Sequence, residues 1–403
     1  MENGICDRLN SEKCFMDKTT KLIVRISETG KSNRKDICLP RFDLISHYFL
    51  TGGKLNYDDL DKWDGCCTRR ELLARLLLLY SFIMQFDDIS PEVFIEAINQ
   101  LYLREIRFLH RPAEFFASQG MVSDLILEDH RNYRGLRPFD WRKTKRHSKN
   151  FIDKSSKALD HAINSWVEPL ALIMLLERDC QKHNKMSTAL IDYLEFWQSS
   201  GQMCTQLQRH PRYGLGKAIG DKACHLFAKW VVSSFRLTRR TDPSWSDFSF
   251  EVPYDSNAGR VLWRTGYLLK WASKKDYIKR EVIQERAGKQ GLDYIRVTNI
   301  RGMGATNSLP PDIQERYINI ALNHLKSHVK VPSKVEIQRI QHAYLLDQFD
   351  ETGYGVADFD EGLIYIGTTF CFNHNEPKCD ECPLVNLCEG HSSNQKLISN
   401  YRT

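Results

Sequence analysis

The sequence has no long apolar run, no excess of glycine or proline, and no large net charge. Its most apolar stretch, Leu76 to Phe86, is about half as long as a membrane-spanning helix, and Arg75 stands at its edge. With 22 glycines and 13 prolines among 403 residues, collagen-like and low-complexity chains are excluded. A net charge of +6 permits a polyanionic partner without requiring one. We therefore expect a globular protein with no membrane segment.

Two further patterns are missing. The first residues do not join a basic segment to an apolar one, as a secretory signal does, so we expect an intracellular protein, either cytoplasmic (at the nucleoid) or nuclear. Few segments alternate with period two, whereas many repeat apolar residues at helical spacing, which predicts an all-α fold. Only Thr19 to Glu28 is predicted as a short strand or irregular arm. The predicted helices are Glu71–Phe86, Ser90–Leu109, Ser156–Trp166, Pro169–Cys180, Ser187–Trp197, Asp221–Phe235, Ser256–Lys274, Pro311–Val329 and Lys334–Gln348.

The twelve cysteines fall into two groups. Eight are dispersed and are interpreted as ordinary reduced thiols, in a chain too long for a disulfide scaffold. The other four lie within eighteen residues, separated by seven, two and five residues: Cys371, Cys379, Cys382 and Cys388. Thiolates this close in sequence indicate a metal site, either a structural zinc or a [4Fe–4S] cluster. One C-x-x-C pair flanked by two wider-spaced cysteines favours the cluster over zinc.

This cysteine pattern, with Pro377 and Lys378 before the second cysteine, resembles the C-terminal cluster of the endonuclease III superfamily of DNA glycosylases. The first gap is one residue longer here than is usual in that family. The segment from Gly362 to Phe370 is similar to the helix that delivers the family's first cysteine. The resemblance implies a [4Fe–4S] cofactor, double-stranded DNA as partner, and a loop that presents Lys378 to the DNA backbone.

A glycine-rich stretch upstream resembles the family's helix-hairpin-helix, predicted near 213–235. Glycine lets such a hairpin approach a phosphate closely, and the amides at the following helix N-terminus bind it. The resemblance assigns DNA binding to Gly214, Gly216, Lys217 and Gly220. In the family's lyase branch a catalytic lysine follows the last hairpin glycine by two positions, which corresponds to Lys222.

The stretch from Val252 to Gly266 is similar to the family segment that holds the catalytic aspartate, here Asp255. The match includes Val252, Pro253, Arg260, Val261, Arg264 and Gly266. Ser256 and Asn257 replace the family's usual Thr-His, which keeps the helix-capping hydroxyl but removes the histidine. Lys222 and Asp255 are also farther apart than is typical, and residues 238–250 are interpreted as an insertion.

Two weaker candidates concern DNA contacts. Gln85 follows the apolar helix, where the resembling family places a glutamine that fills the gap left by an extruded base; an ordinary polar residue at a helix end is the alternative. The stretch from Arg131 to Lys149 carries eight basic residues and one acid, with aromatics between them. Arg142 and Lys143 are its candidate phosphate ligands, and a plain surface loop is the alternative.

The predicted architecture is two helical domains that flank a DNA-binding cleft. A helical barrel covers 66–250 and includes an insertion near 150–210; a cluster domain covers 251–395 and a tail 396–403. The N-terminal segment, 1–65, is expected to pack on the cluster domain. The implied function is a DNA glycosylase with AP-lyase activity. Two alternatives stay open: a non-catalytic iron–sulfur protein that recognises modified DNA for a partner, and a zinc-stabilised interaction protein.

Overall fold

The computed structural model is mostly helical, as the sequence predicts. It describes residues 18–33, 50–51, 54–85, 91–118, 120, 162–163, 165–180, 187–246, 249–250, 252–253, 258, 261–262, 265, 283–287, 293–297, 353–371, 377–388 and 391. No helix in these ranges is long and apolar enough to cross a bilayer. The chain divides into two compact units, one formed by Met1–Arg34 with Tyr254–Thr403 and the other by Lys35–Pro253.

The described elements are numbered in chain order. The helices are α1 (Lys18–Asn33), α2 (Arg69–Ile83), α3 (Pro91–Leu103), α4 (Pro112–Ser118), α5 (Val167–Cys180), α6 (Ala189–Glu195), α7 (Ser200–Arg209), α8 (Asp221–Lys229) and α9 (Val356–Thr369). One π-helical turn, Trp230–Ser234, continues α8. The strands form three antiparallel pairs: β1 (Leu50–Thr51) with β2 (Lys54–Leu55), β3 (Trp63–Asp64) with β4 (Cys67–Thr68), and β5 (Ile283–Ala287) with β6 (Asp293–Val297).

Helix α2 forms the centre of the Lys35–Pro253 unit. It begins where the hydroxyl of Thr68 accepts a hydrogen bond from the Glu71 amide at 3.2 Å, an N-cap that satisfies one otherwise unpaired helix donor. Every residue of α2 except Arg69 and Tyr80 is buried, because α5, α6 and α8 pack around it. Buried aromatic residues extend this core. Among them, the Trp166 ring stacks on the Phe108 ring, with the ring centroids 5.4 Å apart.

A buried ionic network ties α2 to its neighbours. Glu71 and Arg75 have fully buried side chains and lie 2.9 Å apart. The Glu71 carboxylate also accepts from the amides of Leu190 and Ile191, at 3.0 and 2.9 Å, and so caps α6. Arg75 donates to the Glu177 carboxylate at 2.6 Å and to other acceptors. Each charge is therefore paired, which burial in a low-dielectric core requires.

In the other unit, α1 packs along α9 at very short range. A Cβ atom on Gly362 would lie 1.9 Å from the Ile26 carbonyl oxygen, and one on Gly30 would lie 2.0 Å from the Asp358 carbonyl oxygen. Glycines on both helices therefore let the two backbones touch. At the far side of α1, the Arg25 guanidinium donates to the Pro383 carbonyl at 3.3 Å, which links this helix to the cysteine loop.

The structure corrects the prediction for Thr19 to Glu28, which lies within α1 and is helical. Leu22, Ile23, Ile26 and Ser27 are buried at helical spacing, so burial against α9 outweighs the strand preference of the β-branched residues. Of the predicted N-terminal segment, α1 belongs to the unit that includes the cysteine loop, whereas the described residues 54–65 belong to the Lys35–Pro253 unit. There Arg70 anchors them by a 2.8 Å ion pair with Asp61.

The predicted helices are found with shifted ends where the structure describes them. The second ends at Leu103, not near Leu109, because Glu105 adopts a left-handed conformation with φ of +61°. The predictions for Pro311–Val329, Lys334–Gln348 and the basic stretch Arg131–Lys149 fall outside the described residues, as does most of Ser156–Trp166 and of Ser256–Lys274. The predicted DNA-binding cleft stays a prediction.

Candidate nucleic-acid and metal sites

A rigid turn precedes the predicted hairpin. After α7 ends, the His210 imidazole Nδ1 accepts hydrogen bonds from the amides of Arg212 and Tyr213, at 3.1 and 3.0 Å. That role requires an unprotonated Nδ1, and burial, together with the charge of Arg212, lowers the pKa of His210. The Asp179 carboxylate on α5 accepts from the Arg212 guanidinium at 2.8 Å and from the Tyr213 hydroxyl at 3.1 Å. The hairpin thus begins from a fixed point on the core.

The three predicted hairpin glycines have different surroundings. Gly214 is buried, and a Cβ atom there would lie 2.5 Å from the His210 carbonyl oxygen, so its small size serves packing inside the protein. Gly216 has a φ of +56°, a left-handed conformation that favours glycine. Gly220 is exposed and immediately precedes α8. Lys217 lies in the short 3-10 turn Gly216–Ala218 between them.

Three predicted site residues meet where α2 ends and α8 begins. The Gln85 side-chain oxygen accepts a hydrogen bond from the Gly220 amide at 2.6 Å, and its nitrogen lies 3.4 Å from the Ala218 carbonyl oxygen. The Lys222 ammonium donates to the Met84 carbonyl at 3.0 Å. Gln85 and Lys222 therefore lock the hairpin to the carboxyl end of α2.

These contacts bear on the roles predicted for both side chains. To fill a gap in a duplex, Gln85 must first release the Gly220 amide. For nucleophilic attack, the Lys222 nitrogen must likewise leave the Met84 carbonyl. Helix α8 has no side-chain cap at Gly220. The N-terminus of a helix binds anions through its unpaired amides, so the predicted phosphate contact corresponds to the start of α8 and stays a prediction.

The four clustered cysteines occupy one folded loop after α9. Cys371 follows the helix directly, and its amide donates to the Ile366 carbonyl at 2.9 Å. The Lys378 amide donates to the Phe370 carbonyl at 2.9 Å, which returns the chain beside its start. Backbone turns then connect Cys379 to Cys382, at 3.1 Å, and Leu384 to Cys388, at 2.8 Å. The buried Leu384 anchors this loop, and Lys378 is exposed on it.

The donor set fits a four-iron cluster in number and in chemistry. All four thiols are partly exposed, and none forms a disulfide. Burial, together with the negative charges of the other three cysteines, raises the pKa of Cys382 to about 12, so the four sulfurs share one electrostatic environment. Within the described ranges, no group of three His, Cys, Asp or Glu side chains is arranged to hold a single metal ion. In a cubane each thiolate binds a different iron, so it does not require the sulfurs to meet at one ion.

Several predicted residues lie outside the described residues: Asp255, Arg142 and Lys143. The side chain of Lys217 belongs with them. The predictions for these residues stay predictions.

The adjacent Cys66 and Cys67 are among the eight dispersed cysteines interpreted from sequence as ordinary thiols. In the structure their sulfurs lie 3.6 Å apart beside the core ion pair of α2. Their adjacency in the sequence was the pattern that could have indicated a pair of interacting thiols. The aromatic residues around the hairpin turn were also missed, including the stacked rings of His210 and Tyr213, 4.9 Å apart.

Comparisons of the chain with protein families, with curated proteins and with solved structures found no match. The resemblance to the endonuclease III superfamily therefore stays a prediction. What the chain does must be inferred from its own residues.

Proposed function

We propose that this protein is a DNA glycosylase with AP-lyase activity that excises a damaged or modified base from double-stranded DNA. The observation that supports it best is the junction of α2 and α8. The resemblance singled out three residues that meet there: Gln85, Gly220 and Lys222. The Gln85 side chain accepts a hydrogen bond from the Gly220 amide at 2.6 Å, and Lys222 donates to the carbonyl of Met84, the residue before Gln85, at 3.0 Å. The proposed wedge (Gln85), the proposed phosphate-binding helix start (Gly220) and the proposed nucleophilic amine (Lys222) therefore lie close together.

The proposed reaction begins with rotation of the target nucleotide out of the duplex, because the glycosidic bond is inaccessible in the stack. The Asp255 carboxylate stabilises the positive charge that develops on the sugar. The neutral Lys222 amine forms a bond to C1′ as the glycosidic bond breaks and the base leaves with the electron pair. The C1′–O4′ bond of the sugar then breaks as a proton passes from the lysine nitrogen to O4′, which gives the Schiff base. The Schiff base permits β-elimination of the strand.

Borohydride trapping tests the assignment of Lys222. Reduction converts a lysine–C1′ Schiff base into a stable amine, so the protein becomes attached to a duplex that carries an abasic site. We expect an adduct with the unaltered chain and none with Lys222→Ala. Lys62→Ala is the matched control, since Lys62 is exposed and paired with Asp59 in the same unit, and it should trap fully. Undiminished trapping by Lys222→Ala would reject the lysine's role.

The base is identified separately, with a panel of duplexes that contain different damaged and naturally modified bases. Released bases are measured by mass spectrometry. Base release by the unaltered protein without strand cleavage would indicate a glycosylase that lacks the lyase step. No release from any duplex, by any form of the protein, would reject glycosylase activity.

We further propose that Cys371, Cys379, Cys382 and Cys388 hold a [4Fe–4S] cluster. When bound, the cluster would stiffen the loop that carries Lys378, which is exposed and free to meet a phosphate from that rigid position. Purified protein should be brown and contain iron and sulfide in equal amounts; Cys379→Ser should lose both, whereas Cys180→Ser, an exposed cysteine elsewhere, should keep them. Stoichiometric zinc in colourless protein would favour a zinc-stabilised interaction protein.

A second function, non-catalytic recognition of modified DNA, is favoured by one observation. In the structure the Lys222 ammonium and the Gln85 amide both serve hydrogen bonds inside the protein. Such a protein would bind duplexes with affinity that falls as salt rises, and would neither release a base nor form an adduct.

A further inference from the structure

Two adjacent cysteines lie just before helix α2, in a different unit from the cysteine loop. The Cys66 and Cys67 sulfurs are 3.6 Å apart, and both face the His110 carbonyl oxygen, at 3.1 and 3.6 Å. A disulfide requires the sulfurs to approach to about 2 Å. Closing the remaining gap requires rotation of both side chains and, because adjacent Cα atoms lie only about 3.8 Å apart, an adjustment of the peptide between them.

The two thiols differ in ways that give them separate roles. Cys66 is partly exposed, whereas Cys67 is fully buried. A hydrogen bond from Cys67 lowers the pKa of Cys66, and the positive charges of Arg75 and Arg111 act in the same direction. The hydrogen bond to Cys66, followed by burial, raises the pKa of Cys67. Ionised, accessible thiols are the ones that react with oxidants, so Cys66 is the reactive partner.

The surrounding backbone holds this pair in place. Cys67 lies in strand β4, next to Thr68, the N-cap of α2. The Ser187 amide donates to the Cys66 carbonyl at 2.7 Å, which fixes the chain on the other side. Gly65, before the pair, has a φ of +66°. The two sulfurs are thus presented by ordered backbone rather than by a loose surface segment.

We propose that Cys66 and Cys67 form a peroxide-oxidised dithiol site that closes to a disulfide between the two neighbouring residues. The Cys66 thiolate attacks one peroxide oxygen, the O–O bond breaks, and the sulfur becomes a sulfenic acid while an alcohol or water leaves. The Cys67 sulfur then attacks the Cys66 sulfur, and the hydroxide leaves as water with the Cys67 proton. Overall, two thiols and one hydroperoxide give a disulfide, an alcohol (or water) and one water.

This disulfide should be readily reversed. A ring closed between adjacent residues departs from relaxed disulfide geometry, and strained disulfides are the more easily reduced ones. Formation also removes both thiol hydrogen bonds to His110. A small dithiol, which supplies two electrons, is therefore expected to restore both thiols.

Peptide mass spectrometry of the full chain tests the proposal. The folded protein is treated with equimolar hydrogen peroxide, then unfolded in an alkylating reagent and digested with trypsin. Cleavage after Lys62 and Arg69 gives one peptide that contains both cysteines and no others. We expect this peptide to be lighter by two hydrogen atoms and unalkylated, and to take up two alkyl groups when a dithiol is added first.

Variants and internal controls make the result decisive. Cys67→Ser should stop at a Cys66 sulfenic acid that dimedone captures, and Cys66→Ser should slow oxidation of this peptide on the order of tenfold. Cys204 and Cys224 are a second close pair, each thiol donating to the other's carbonyl, but both are buried and should stay reduced. Earlier oxidation of that pair or of the exposed Cys180, or oxidation of Cys66 beyond the sulfenic acid without a bond to Cys67, would overturn the proposal.

Discussion

The Gln85 side chain holds the Gly220 amide, with 2.6 Å between its oxygen and that nitrogen. Gln85 follows the end of the buried helix α2, and Gly220 is the residue before α8. One glutamine therefore joins the central helix of its unit to the hairpin that carries Lys222. This hydrogen bond adds to the packing of α8 on α2 in holding the proposed DNA-binding helix on the core.

Replacing Gln85 with alanine should destabilise the protein modestly. The change removes the acceptor of the Gly220 amide, a hydrogen bond worth about 1 kcal/mol at a partly exposed site. The free energy of unfolding from denaturant titration measures this. Gln100→Ala is the control. The Gln100 amide donates to Glu96 on its own helix at 2.9 Å, an exposed contact, so a loss within about 0.5 kcal/mol is expected.

The same variant separates the two roles of Gln85. A wedge assists extrusion of a base, so Gln85→Ala should slow base release from an intact duplex more than it slows borohydride trapping on a duplex that is already abasic. Equal losses in the two assays would mean that the side chain acts only through the hairpin.

Gly362→Ala should disrupt the contact between α1 and α9. The added Cβ would lie 1.9 Å from the Ile26 carbonyl oxygen, so the helices must separate, at a cost of about 3 kcal/mol or more. Hydrogen exchange of the α1 amides should become much faster. Gly201→Ala in α7 is the matched helical glycine: its nearest contact would be an ordinary 3.6 Å, and stability should stay the same or rise slightly. Unchanged α1 exchange in Gly362→Ala would contradict the packing.

Arg75→Met should be among the most damaging single changes in the Lys35–Pro253 unit. It leaves the Glu71 carboxylate buried without its partner, which costs about 3–5 kcal/mol. Thermal unfolding followed by circular dichroism measures the effect. Arg111→Met, which removes an exposed ion pair with Glu114, is the control and should change stability by less than about 1 kcal/mol.

The ion pair of Asp61 with Arg70 should make stability depend on acid pH. The Arg70 hydrogen bond lowers the pKa of Asp61 in the folded protein. A carboxyl with a lowered folded pKa stabilises the protein above its unfolded value of about 4, and this contribution is lost as the pH falls through the folded pKa. We measure the free energy of unfolding by denaturant titration at several pH values. At neutral pH it should be larger for the unaltered protein than for Asp61→Asn, and the difference should shrink below about pH 4. A difference that grows on acidification would have the wrong sign.

Local patterns in the sequence were sufficient for much of the helical structure. Apolar spacing predicted α2, because that pattern acts within a few residues of the chain. The sequence also indicated a tight cysteine loop, since only seven, two and five residues separate its members. It failed for α1, where β-branched residues favour a strand but burial against a helix more than 300 residues later decides the outcome.

The sequence by itself determined the helical class, the four clustered cysteines and the glycine-rich turn before α8, because these are set by composition and short spacing. Only the tertiary structure showed that Gln85 binds Gly220, that Glu71 caps α6, and that Cys66 and Cys67 differ in exposure. Each of these contacts depends on which distant segments share the core, and on how burial changes the energy of a charge, an amide or a thiol. No short-range pattern encodes that information.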